Sequence, residues 1–154
     1  MYIEDDLYKK VLEKTIVQTL DLIFLDEQNN ILLWLRNNNP LKWVYYISWW
    51  RRYKNETILE SATRKSKEEL WLDIDTNKLI FLWVYDDIFD DSIFENVWTH
   101  CSPITFVYKL DKNEEKNLNL DSQHSDFKFF DIDDGSIHDM VKIRIDDMKK
   151  QWIV

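Results

Sequence analysis

A chain of 154 residues with one glycine has to build its left-handed turns from other side chains. Average usage would supply roughly eleven glycines, whereas this sequence has Gly135 alone and eight tryptophans. Asn and Asp tolerate positive φ better than most residues, and "EQNN", "RNNNP" and "DKNEEKN" offer them for turns. The remaining composition belongs to a folded domain. Hydrophobic residues make up 45% and aromatics 15%, which excludes a disordered chain. At this length a single domain over 1–154 is expected, burying about two-thirds of its unfolded surface.

The net charge of −9 works against nucleic acid and anionic membranes as broad electrostatic partners. An anionic substrate stays possible where a metal and a few local arginines gather it. Cys101 has no second cysteine to pair with, which fits a reducing compartment. The start, "MYIEDDLYKK", lacks the basic end and apolar run of a secretory signal. The longest apolar run, "LIFLWVY" at 79–85, has the length of a buried strand and is too short to cross a bilayer. A cytoplasmic protein without a membrane partner is the expectation.

Periodicity predicts a helix over 3–13 and strands over 15–26 and 31–36, joined as a hairpin at "EQNN". Pro40 marks a loop, and 43–47 reads as another strand, followed by the basic "RRYK". Thr57 opens an amphipathic helix that runs to about Trp71. Strands over 78–88 and 99–110, a polar loop over 111–126, a strand over 127–132 and a helix from Ile137 to about Gln151 complete the chain. Strands around one central helix, with helices near both ends of the chain, imply an α+β sandwich.

Projected at about 100° per residue, Leu59, Ala62, Ser66 and Leu70 form the core side of the central helix. Lys65 and Glu69 share one flank, while Glu60, Arg64 and Glu68 form a stripe on the other. Such pairs stabilise an exposed helix by a few tenths of a kcal/mol, so a salt-laced surface is one reading. In the other, Glu56, Glu68 and Glu69 serve Mg²⁺, a hard cation that takes carboxylate oxygens. Loop arginines would then grip phosphates with paired N–H donors.

The order Trp50, five residues, Glu56, seven residues, Arg64, then Glu68, Glu69, Trp71 and Leu72 resembles the Nudix hydrolase signature. Glu56, Arg64, Glu68, Glu69 and Leu72 match it, whereas Trp50 and Trp71 replace glycines and Lys65 replaces a glutamate. "TLDLIFLDEQNNILLWLRNNNP", "FLWVYDDIFDDSIFENVWTH" and "LNLDSQHSDFKFF" are similar to the GDP-mannose mannosyl hydrolase branch, which also lacks that glutamate. The similarity runs from residue 2 to about residue 132. It implies a Nudix-type α/β/α sandwich: a mixed β-sheet, a central catalytic helix and a C-terminal helix, usually in a homodimer.

It also implies a nucleotide-sugar substrate, GDP-mannose, cleaved to GDP and mannose by water at the anomeric carbon. Mg²⁺ would bind Glu69, the side chain of Gln123 and the backbone carbonyl of Trp49, stabilising the departing diphosphate. His124 would be the general base. Arg36, Arg51 and Arg64 would hold the diphosphate or organise the site, and Asp21 would contact the substrate. Asp87 stands at a family histidine and would bring an acid towards the phosphates, and Cys101 stands at a tyrosine. Lys65 is placed to pair with Glu69 and compete with the metal, at ~0–1 kcal/mol.

Trp34, Trp43, Trp49, Trp50, Trp71 and Trp83 all fall at family glycines. Each carries a strain on the order of 1–3 kcal/mol wherever positive φ or close approach is required. Six exchanges for one bulky residue point to deliberate engineering or to a glycine codon read as tryptophan. Indoles at 49 and 50 would also crowd the cleft. That leaves a second expectation, a catalytically silent Nudix-like nucleotide-binding or scaffold domain. A third, attack at phosphorus on another nucleoside diphosphate derivative, is disfavoured by Lys65.

Overall fold

Strand β1 (Val17–Leu25) is buried almost throughout, Gln18 excepted, because both of its faces are covered. The computed structural model describes residues 3–118 and 127–154. Its other strands are β2 (Ile31–Leu35), β3 (Tyr45–Tyr46), β4 (Ser48–Arg51), β5 (Ile80–Val84), β6 (Asp87–Phe89), β7 (Thr99–Lys109) and β8 (Phe127–Phe130). They form one mixed sheet along the path β3-β2-β1-β7-β5, with β4 on β1, β6 on β7 and β8 on β2. β1 and β7 run parallel, with Val17 opposite Cys101 and Leu25 opposite Lys109. The other pairings are antiparallel.

Helices α1 (Asp5–Lys14), α2 (Ile58–Leu70), α3 (Lys112–Asn117) and α4 (Asp139–Lys150) accompany the sheet. The two-residue period of β1 divides the core in two. Leu20, Leu22 and Phe24 pack with Ala62 and Leu70 of α2. Ile23 and Leu25 pack with Val141, Ile145 and Met148 of α4 on the opposite face. A sheet between helical layers is the α+β, α/β/α arrangement that the sequence implied. Among the described residues, no helix is long and apolar enough to cross a membrane.

Local signals account for the start of α2. The Thr57 hydroxyl accepts the Glu60 N–H at 3.2 Å, and the Glu60 carboxylate accepts the Thr57 N–H at 2.8 Å. This reciprocal cap satisfies two N–H groups that a helix otherwise leaves open. The helical projection errs at Leu59, which is exposed, while Ser61 joins Ala62, Ser66 and Leu70 inside.

Other differences have equally local causes. "SWWR", which follows the expected 43–47 strand, forms a strand of its own, β4, because Thr19 to Leu22 of β1 offer it a ladder. The expected 43–47 strand shortens to β3, and the 78–88 strand divides into β5 and β6. The polar stretch after β7 opens as α3, since Asp111 accepts the N–H groups of Asn113 and Glu114. Residues 119–126 lie outside the described residues. Of the proposed turn segments, "EQNN" does hold a left-handed residue, Asn29, whereas none of the described residues of "RNNNP" and "DKNEEKN" has positive φ.

Thr57→Ala should cost about 1 kcal/mol, measured by urea denaturation. An unchanged midpoint would show that the cap adds nothing.

Candidate functional site

The segment after β2, strand β4 and the C-terminal turn of α2 enclose a cavity of about 610 Å³, lined in part by Arg36, Trp49, Trp50, Glu68, Glu69 and Trp71. Arg36 Nε donates to the Pro40 carbonyl at 2.7 Å, and its guanidinium carbon lies 4.6 Å from the Trp49 ring centroid. The Trp49 indole also stacks on Phe89 at 5.5 Å. A second cavity, of about 220 Å³, lies beside the first and reaches Tyr8, Arg51 and Cys101. Arg36, Asn38 and Trp49 line both, so they form the wall between the two.

The charges of α2 are tied to one another. Arg64 donates from Nη2 to Glu56 at 2.8 Å and from Nη1 to Glu68 at 3.2 Å, and lines neither cavity. Hydrogen bonds from Arg64 hold the Glu56 carboxyl down at about 2. Lys65 bridges the two flanks, with Nζ 3.1 Å from Glu68 and 3.4 Å from Glu69. Its pairing with Glu69 was expected, but its pairing with Glu68 was not.

On the other face of β1, alternation turns Asp21 towards α4. Arg144 Nη2 donates to Asp21 at 3.1 Å and to Asp87 at 2.7 Å, while Nη1 donates to the Met140 carbonyl at 3.0 Å. The Tyr46 hydroxyl donates to Asp87 at 3.2 Å. All four side chains are buried. Burial pushes the Asp21 carboxyl up to about 7 against the pull of Arg144. Burial also works against the charge of Arg144, yet Asp21, Tyr46 and Asp87 hold its pKa above the usual value. The Cys101 thiol is pushed up to about 12 by burial, reinforced by Asp87 and Asp21.

Arg36, Trp49 and Glu69 therefore share one cavity, and Arg51 borders the next. Arg64 organises Glu56 and Glu68. Asp21 and Asp87 sit in the α4-side network, where the acid expected near phosphates is matched by a guanidinium. Gln123 and His124 lie outside the described residues. The oxygens of Glu68 and Glu69 suit a hard cation. No group of three or more His, Cys, Asp or Glu side chains among the described residues is arranged to hold one.

Arg144 was missed by the sequence reading. Its signal was an arginine within the Val141, Ile145, Met148 stripe of α4, matched by an aspartate inside the apolar β1.

Asp21 binds its proton more tightly in the folded protein than at its usual 3.8. Its contribution to stability is therefore fully present below about pH 4 and lost as pH rises through about 7. Asp21→Asn should reduce the fall in urea midpoint between about pH 5 and pH 7; an equal fall would assign it to other groups. Arg144→Met, which strands two buried acids, should cost roughly 3–5 kcal/mol at neutral pH, read from the same denaturation curves.

No family model matches the chain. The low-salt glycan biosynthesis protein Agl8 of Haloferax volcanii is 27% identical over 145 residues, covering 94% of this chain and 89% of that protein. The MutT protein from Methanosarcina mazei Go1 superposes with a TM-score of 0.68 at 11% identity, covering 90% of this chain and 96% of that one. The NUDIX domain of Shewanella oneidensis NrtR, solved with ADP ribose, gives 0.59 at 14% identity, covering 97% and 99%. For the MutT/nudix family protein from Enterococcus faecalis the values are 0.57 and 14%, with 84% of this chain covered and 57% of that one. The fold is that of the Nudix hydrolases.

Proposed function

We propose that the protein is a Mg²⁺-dependent hydrolase of a nucleotide sugar, converting GDP-mannose to GDP and mannose by attack of water at the anomeric carbon. The observation that carries this reading is the shared cavity of Arg36, Glu68 and Glu69 within a Nudix fold. Arg36 is already tied to the Pro40 carbonyl and stacked on an indole, so presenting its other N–H groups to a diphosphate costs little further freedom. Arg51, bordering the adjoining cavity, extends the same grip. Arg64 acts at one remove, by holding Glu56 and Glu68.

Glu69, the Trp49 carbonyl and Gln123 are the ligands we assign to Mg²⁺, with Glu68 beside them. A bound Mg²⁺ supplies positive charge to the departing diphosphate. His124 takes the proton from water, a role that rests on the resemblance around "DSQH". Direct substrate contact by Asp21 or Asp87 would require the α4 face to open, because both are bound to Arg144. ADP ribose, the ligand of the NrtR domain, is itself a diphosphate-linked sugar, and the name of the Haloferax relative concerns glycan synthesis. Both support a nucleotide sugar as substrate.

We also propose a cytoplasmic homodimer. Strand β5, at one end of the sheet path, exposes Ile80, Phe81 and Val84, an apolar surface suited to a second copy.

One observation favours a silent nucleotide-binding domain instead: Trp49 occupies the wall of the cleft and Lys65 occupies the acid pair. Incubation with GDP-mannose and Mg²⁺, followed by chromatography, separates the readings. GDP with free mannose supports hydrolysis at carbon. GMP with mannose phosphate indicates attack at phosphorus, and retained binding without turnover indicates the silent domain.

For the hydrolase, His124→Ala should lower kcat by about 10²–10⁴-fold with little change in GDP-mannose affinity. Equal losses in both would argue against a base. Lys65→Met should strengthen Mn²⁺ binding by a few fold, since the bridge it removes is worth only ~0–1 kcal/mol. Electron paramagnetic resonance titration measures this without turnover, and an unchanged affinity would show that Lys65 does not compete.

A further inference from the structure

Backbone and sequence disagree most where a bulky side chain is set on a left-handed φ. Seven of the described residues that are not glycine have positive φ: Asn29, Asn55, Asn96, Leu41, Trp43, Trp71 and Trp152. The asparagines fit, because their short amides bond locally to the backbone. Tryptophan has no such compensation. Packing does not offset the strain either, since Trp43, Trp71 and Trp152 are 67%, 76% and 92% exposed. Gly135, the one glycine present, is not at positive φ and has open space around its Cα.

Each of the three tryptophans does the backbone work of a glycine. Trp43 closes the turn between β2 and β3, its N–H donating to the Arg36 carbonyl at 2.8 Å. Trp71 follows α2 and donates back to Lys67 at 3.1 Å. Trp152 follows α4, donating to Lys149 at 3.1 Å, while the next N–H, that of Ile153, reaches Met148 at 2.9 Å. Left-handed residues that end helices are usually glycine. Trp152 is not among the six positions set against family glycines in the sequence, so its left-handed φ is a separate instance.

We infer that the protein in its own cell carries glycine at positions 43, 71 and 152, through a codon read there as glycine; at 34, 49, 50 and 83 the backbone makes no such demand, and the same reading is extended to them from the family glycines that they match in the sequence. The consequence for the cleft lies at 49. Without that indole, the wall shared by the cavities of about 610 and 220 Å³ keeps only Arg36 and Asn38. One groove then runs from Glu68 and Glu69 past Arg36 to Arg51. Such a groove takes an elongated diphosphate ligand, a specificity that rests on the proposed nucleotide-sugar reading.

Peptide sequencing by mass spectrometry of the protein isolated from the organism that carries the gene tests the inference directly. Glycine at 43, 71 and 152 is the expected result, and tryptophan there overturns it. On recombinant protein, Trp71→Gly and Trp152→Gly should each raise the urea midpoint, and a lowered midpoint in both counts against the inference. For the groove, calorimetry should show GDP binding at least tenfold tighter to a Trp49→Gly/Trp50→Gly variant than to the chain with tryptophans. Equal or weaker binding overturns the joined groove. If the variant binds GDP tightly but does not cleave GDP-mannose, the hydrolase reading fails while the inference stands.

Discussion

Strand β1 is enclosed by β4 and β7 at its edges and by α2 and α4 on its faces, and the rest of the molecule is arranged around that enclosure. Its register with β7 sends Leu20, Leu22 and Phe24 to one helix and Asp21, Ile23 and Leu25 to the other. A slip by one residue would exchange the two sets and bury a carboxylate against Ala62 and Leu70. A separate antiparallel ladder with β1 sets β4, where Trp49 stands opposite Asp21 and Trp50 opposite Leu20. Neighbouring tryptophans therefore meet different environments: Trp49 lies beside Phe89 and Arg36, and Trp50 lies in the α2-side core.

Burial separates two groups of charges that look alike in the sequence. Asp21, Asp87 and Arg144 are withdrawn from water, so each depends on the others, and loss of one leaves an uncompensated charge. Glu68 and Glu69 line an open cavity and are partly exposed, with Lys65 paired to both from beside it, and solvent screening keeps such pairs weak and exchangeable. A site that admits a cation or an anionic ligand needs the second kind of charge. The end of α2 has it, and the α4 face does not.

The tryptophans show how a fold tolerates residues that its backbone does not favour. At 43, 71 and 152 the indoles extend into solvent, where they clash with nothing and leave only backbone strain. At 34, 49 and 50 the backbone is ordinary extended strand, and the indoles are accommodated beside Phe24, Phe89 and Lys65. The sheet and helix ladders hold the conformation in both cases, because many long-range contacts outweigh a few local penalties.

Much of the architecture was legible because its causes are local. The span of α2, the apolar length of β1 and the stripe of α4 come from periodicity and capping, which a run of ten to fifteen residues contains in full. The acids of α2 were legible for the same reason, and the motif they form pointed to the Nudix fold. Four things were decided only by the tertiary structure. Leu59 faces outward, "SWWR" is a strand, Lys65 touches both Glu68 and Glu69, and Asp21 answers to an arginine 123 residues away. Each depends on which face of one segment meets another, and that relation exists only once the chain has closed around β1.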